Sequence, residues 1–232
     1  MKKPSISIFI IALLTLSNWL LPDAMHAQEI KVNNEESKPD FFQGIYAGID
    51  VFGFVNQALG SDATTTEASV EVNLLNRFFP VVEIGYGGMD ATDDETDIHY
   101  KTSAPFFRIG ANYNMFYKKP HLPGHLTLGL RYGFSSFKYD MKAPELVDPN
   151  WGNTSVPFEY NGVKTKVGWL ELVLGLRTNV YKDFYMGFTV RYRSRLSMKK
   201  NENSEPYYIP GYGRGKPNNF GITYNLSYRL PF

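Results

Sequence analysis

The stretch FGITYNLSYRLPF, residues 220–232, decides the fold. Phe220, Ile222, Tyr224, Leu226, Tyr228, Leu230 and Phe232 alternate with Gly221, Thr223, Asn225, Ser227, Arg229 and Pro231. A period of two marks extended chain, whose successive side chains point to opposite faces. One face here is wholly apolar and runs to a terminal Phe. A strand of a transmembrane barrel needs this arrangement, with apolar side chains toward lipid, polar ones toward the lumen and aromatics at the interface. An amphipathic strand of a soluble sandwich has the same period, so the rest of the chain must decide between them.

The alternation continues upstream. Phe184, Met186, Phe188, Val190 and Tyr192 oppose Gly187, Thr189, Arg191, Arg193 and Arg195; Leu170, Leu172, Leu174 and Leu176 oppose Glu171, Val173, Gly175 and Arg177. Leu126, Leu128, Leu130, Tyr132 and Phe134 oppose Thr127, Gly129, Arg131 and Gly133, and Phe107, Ile109, Ala111, Tyr113 and Met115 oppose Arg108, Gly110, Asn112 and Asn114. Val82, Ile84 and Tyr86 oppose Glu83, Gly85 and Gly87. The first two strands are placed at 44–55, with Ile45, Ala47, Ile49 and Val51 outward, and 66–74, with Ala68, Val70 and Val72 outward. Eight strands result. The expected fold is all-β, an eight-stranded antiparallel up-and-down transmembrane β-barrel over residues 41–232. Connections at 76–80, 117–124 and 181–183 are short; those at 57–65, 89–103, 140–162 and 199–219 are long. Short turns belong on the periplasmic side of such a barrel and long loops outside.

At the N-terminus, Lys2 and Lys3 precede an apolar stretch over 6–21, and Ala24 and Ala27 follow. This pattern is a secretory signal peptide over residues 1–27; an uncleaved membrane anchor is the alternative. Residues 28–40, QEIKVNNEESKPD, form a flexible periplasmic leader. With 24 Lys+Arg against 23 Asp+Glu the chain carries a formal net charge of +1, and removing the signal peptide makes it neutral. Neutrality and the absence of a basic patch exclude nucleic acid as a partner. Zero cysteines exclude disulfides, thiolate metal sites and lipoprotein anchoring.

An eight-stranded lumen is just wide enough for its own side chains. The inward positions collect Asp50, Glu71, Glu83 and Glu171 with Arg108, Arg131, Arg177, Arg191, Arg193 and Arg229. Shut away from water, such groups cost several kcal/mol each unless paired, so a lumen charge network that plugs the barrel is expected. Three arginines on one strand, Arg191, Arg193 and Arg195, motivate the alternative of a narrow gated path for small anions.

Other chemistry is sparse. His121 and His125 sit in the turn KKPHLPGH, and His99 lies near Asp97 and Ser103 in an ordinary polar loop, so no catalytic residues are assigned. A lipid-modifying enzyme resting on His99 is a third reading, and a soluble periplasmic barrel a fourth. The acidic loop DATDDETD, 90–97, lacks the spacing of a calcium loop; no metal and no cofactor is expected. Asn153-Thr154-Ser155 fits a glycosylation acceptor only in a eukaryotic secretory setting and has no weight in a bacterial one. PYYIPGYG at 206–213 exposes too much apolar surface to stand alone. It is expected either to fold over the mouth as a lid, the favoured reading, or to present Tyr207, Tyr208, Ile209 and Tyr212 to a partner.

GLRYGFS at 129–135, WLELVLGLRTNVYKDFYMGFTVRYR at 169–193 and PYYIPGYG at 206–213 resemble a Bacteroidota family of outer-membrane barrels, the domain of unknown function 6048. The resemblance spans the mature chain. It implies a Gram-negative source and an outer-membrane location, and brings no activity or ligand. The expected function is a structural or surface-interaction platform in the outer membrane. Its expected partners are outer-membrane lipid, the barrel-assembly machinery through the strand ending in Phe232, and a surface glycan or protein.

Overall fold

The computed structural model describes residues 40–119, 122–148, 154–199, 201 and 204–231. The expected signal peptide, nearly all of the leader, His121, Asn153 and Phe232 lie outside the described residues. The elements are β1 (Phe42–Asp50), α1 (Phe52–Ala58), β2 (Ala63–Leu74), β3 (Phe78–Thr92), β4 (His99–Asn114), β5 (Gly124–Asp148), β6 (Thr154–Tyr181), β7 (Phe184–Met198), β8 (Tyr208–Ile209), β9 (Gly213–Arg214) and β10 (Asn218–Arg229). Eight strands form a closed barrel in the order β1-β10-β7-β6-β5-β4-β3-β2, and β8 and β9 make a separate two-stranded ribbon. Closure is the antiparallel pairing of β1 with β10, from Tyr46↔Arg229 to Asp50↔Asn225. It leaves neither edge strand unpaired along that stretch.

The barrel is inside out relative to a water-soluble domain. Ile109, Leu176 and Phe220 on the outer face are 62%, 54% and 77% exposed, whereas Glu171 and Arg108 inside are 0% and 2% exposed. Outward rings meet at tilted angles across the β7–β10 seam. Phe184 meets Tyr228 at 4.9 Å, Phe188 meets Tyr224 at 4.7 Å and Tyr192 meets Phe220 at 5.1 Å. Each is a directly opposed pair in the register, the geometry in which aromatic cross-strand pairs stabilise a sheet. Among the described residues, no helix is long and apolar enough to cross a membrane.

Three expectations need correction. Residues 52–55, assigned to the first strand, begin the helix α1 instead. Asp50 Oδ1 accepts the N–H groups of Phe52 (3.0 Å) and Tyr224 (3.2 Å), which ends the ladder and turns the chain. The connection expected at 140–162 is largely strand: β5 and β6 stay paired from Lys142↔Glu159 to Asp148↔Thr154. The β4 pairing with β5 ends at His99↔Lys142 and the β7 pairing with β6 at Val167↔Met198. Beyond these positions the described residues of β5 and β6 are paired in the ladder only with each other. The connection expected at 89–103 shrinks to residues 93–98, since β3 runs to Thr92 and β4 starts at His99.

Inside, the long-loop end holds an aromatic cluster of Tyr100, Phe106, Phe137, Tyr139, Trp169, Tyr208, Ile209 and Tyr212. The short-turn end holds Tyr46, Phe79, His125 and Tyr185, with rings 5.2 to 6.4 Å apart and the Arg177 guanidinium 4.6 Å from the Tyr46 ring. Charged side chains occupy the level between. Trp169 reaches its place because residue 133 is glycine; a Cβ there would strike the indole.

Candidate functional site

The charged level is built by strand register. Glu83 on β3 stands opposite Arg108 on β4, and Glu171 on β6 lies between Arg131 on β5 and Arg193 on β7. Long side chains then reach across the lumen. Arg108 Nη1 donates to Glu67 Oε2 (2.6 Å) and Glu83 Oε2 (3.0 Å), while its Nε faces Glu171 Oε1 at 2.9 Å. Arg191 donates through Nη2 to Glu67 (2.9 Å) and through Nη1 to Glu83 (2.7 Å) and Glu171 (3.2 Å). Arg131 Nε meets Glu83 Oε1 at 2.7 Å, and Arg193 Nε lies 3.3 Å from Glu171. Trp169 Nε1 donates to Glu171 Oε1 at 2.7 Å. Nearer the short turns, Arg177 pairs with Glu71 at 3.0 Å.

Of the ten expected lumen residues, seven join these ion pairs: Glu71, Glu83, Arg108, Arg131, Glu171, Arg177 and Arg191, with Arg193 as an eighth at longer distance. Two stand apart. Asp50 is buried and is held by backbone N–H groups, and Arg229 donates to the Gln43 carbonyl at 2.9 Å. Glu67, outside the expected set, bridges Arg108 and Arg191. It lies on the same face as Glu71, so the alternation already marked it as inward.

The loop 206–213 closes onto this layer. Arg108 Nη2 donates to the Gly211 carbonyl (2.7 Å), Arg193 Nη1 to the Tyr212 carbonyl (3.0 Å) and Arg195 Nη1 to the Gly215 carbonyl (2.9 Å). Tyr100 Oη donates to the Tyr208 carbonyl at 2.8 Å, and the Trp169 and Tyr212 rings meet edge-on at 5.7 Å. The neutral carbonyls accept hydrogen bonds from these guanidinium groups and hold the loop without cancelling their charge. Tyr208, Ile209 and Tyr212, expected as partner-contact residues, are buried on the inner side of the loop, and of the four only Tyr207 stays exposed. The four do not form one surface, because β8 and β9 turn three of them into the aromatic cluster.

Burial raises the phenol pKa of Tyr208 and Tyr212 above the ordinary 10.0. A raised phenol pKa favours the closed loop while the phenol is neutral. That contribution is complete below about pH 10 and is lost as pH climbs through the raised value. Proteolysis within 206–217, followed against pH together with tyrosinate absorbance, is expected to stay slow to pH 10 and accelerate above it. A rate independent of pH would contradict the burial of these phenols.

Beside the loop lies a cleft of about 740 Å³, lined by Tyr100, Tyr207, Asp93, Glu95, Arg214 and Lys216 among others. The acidic residues of 90–97 have local partners. Asp93 Oδ1 accepts from Glu95 N, Thr96 N and Thr96 Oγ1, and Asp90 pairs with Lys101 at 2.8 Å. His99 bonds Thr92 Oγ1 at 3.1 Å and lies 3.4 Å from Asp90; Ser103 is not among its partners. Among the described residues, no group of three or more His, Asp or Glu is placed to hold a metal ion.

The family model of the domain of unknown function 6048 matches residues 5–232. No curated protein matches the chain. Among solved structures, the crystal structure of Acinetobacter baumannii CarO2 is similar with a TM-score of 0.38 and 11% identity, over 82% of this chain and 99% of that one.

Proposed function

The chain belongs to the family of the domain of unknown function 6048, and on that premise we propose that it is an integral outer-membrane barrel with a filled lumen. It works as a rigid platform for its surface loops rather than as an enzyme. The supporting observation is the inverted distribution of side chains. Leucines and aromatics face outward from a closed barrel while Arg108, Arg191, Glu83 and Glu171 are sealed inside. In water the outer face would be a large exposed apolar surface; in lipid it is the contact surface, and closure satisfies the backbone. A signal peptide over 1–27 and loops longer than turns fit export and insertion with the long-loop end outside.

The working parts in this reading are the β5–β6 hairpin beyond its pairings with β4 and β7 and the cleft beside Tyr207. A cleft of about 740 Å³ falls within the range of sites for small ligands and glycan units. The observation that favours a second reading, a gated path for small anions, is the binding of Arg193 and Arg195 to loop carbonyls, since a loop held this way can detach.

Planar-bilayer conductance of the refolded mature protein, intact and with residues 199–219 shortened, separates the two. The platform reading expects no conductance in either form, because the ionic layer lies under the loop and fills the bore by itself. Conductance that appears on shortening would establish the gated path instead.

A further inference from the structure

The ion pairs of the layer join one more guanidinium than carboxylates. Arg108, Arg131, Arg177, Arg191 and Arg193 are met by Glu67, Glu71, Glu83 and Glu171, five cations against four carboxylates. Asp50, held by backbone N–H groups, lines a second cavity together with Arg108 and Arg193, and Arg131 is not in that wall. Arg131 is the least compensated of the five. Its one ion pair is Nε to Glu83, its side chain is 4% exposed, and its Nη1 is buried with no hydrogen-bond partner.

A cavity of about 40 Å³ adjoins it, lined by Arg131, Arg177, Arg191, Thr127, Thr189 and Asn225, with the paired Glu71 and Glu83 also in its wall. Thr189 Oγ1 accepts from Asn225 Nδ2 at 3.0 Å, and its own hydroxyl proton has no acceptor among the described residues. A buried N–H of a charged group without an acceptor is costly. Water offers an acceptor and leaves the charge uncompensated. The volume is that of about three water-sized probes, too small for a hydrated oxyanion with a substituent and sufficient for a halide.

We propose that this cavity binds one small monovalent anion of chloride size, held by Arg131 and by the Thr189 hydroxyl. The anion is a resident part of the lumen and requires no conductance. The proposal therefore goes beyond the platform reading and stands if the barrel proves closed.

The test uses the mature chain refolded in detergent, with chloride exchanged for gluconate at constant ionic strength. Chloride is expected to raise Tm by about 3 °C or more at saturation, and crystals soaked in bromide are expected to give an anomalous peak within hydrogen-bond distance of the Arg131 guanidinium. Arg131→Met should abolish both responses. Thr189→Val, which leaves every ion pair in place, should weaken the chloride midpoint about tenfold. It carries the test should Arg131→Met not fold. A Tm indifferent to chloride, a bromide-free cavity, or an unchanged midpoint in Thr189→Val would each overturn the proposal.

Discussion

Glu83→Gln is expected to destabilise the barrel by about 3–5 kcal/mol, the cost of breaking a buried ionic contact from one side. Its carboxylate receives Arg108 at 3.0 Å, Arg131 at 2.7 Å and Arg191 at 2.7 Å. Arg108 and Arg191 keep Glu67 and Glu171 after the substitution. Arg131 loses its one ion pair, and a buried guanidinium cannot shed its charge. Two further variants make the prediction specific. Adding Arg131→Met to Glu83→Gln should return part of the loss, because the uncompensated cation is removed. Glu71→Gln should cost distinctly less, since Glu71 and Arg177 are 14% and 12% exposed and retain some water. Urea unfolding of the protein refolded into lipid vesicles measures all three. A loss below about 1 kcal/mol for Glu83→Gln would mean that water reaches the layer.

Gly211→Val is expected to unseat the loop while leaving the barrel closed. Gly211 has φ +77°, a conformation that strains any residue with a Cβ, and the Cβ would fall on the ring of Phe106. The backbone strain costs about 1–3 kcal/mol, and overpacking adds a similar amount. The closed loop is held by a few carbonyl hydrogen bonds and three buried side chains, so a penalty of that size shifts it largely open. Proteases should then cut within 206–217 of the variant and spare the parent protein, with the heat-dependent gel mobility of the folded barrel unchanged. Protection equal to that of the parent would show that the Gly211 conformation does not determine closure.

These two residues also mark how far the chain can be read without its fold. Alternation in β3, β4, β5, β6, β7 and β10 identifies the inward face strand by strand, because a period of two follows from backbone geometry and survives any tertiary arrangement. It placed Glu83, Arg108, Arg131, Glu171 and Arg191 inside, and it held the information for Glu67 as well. Alternation failed at residues 52–55, where a side-chain oxygen of Asp50 replaced the ladder. It also stopped short at 140–162, where polar residues in a hairpin resembled a loop. Pairing was beyond its reach. Arg131 stands opposite Glu171 in the register yet bonds Glu83, and Arg191 finds Glu67 across a separation of 124 residues. Which carboxylate a guanidinium meets depends on closure, stagger and the bore of the barrel, which are properties of all eight strands together. The fate of PYYIPGYG is decided in the same way. Its composition required that something cover it, and the arginines donating to its carbonyls and the Phe106 and Trp169 rings beneath it made that cover the barrel's own mouth.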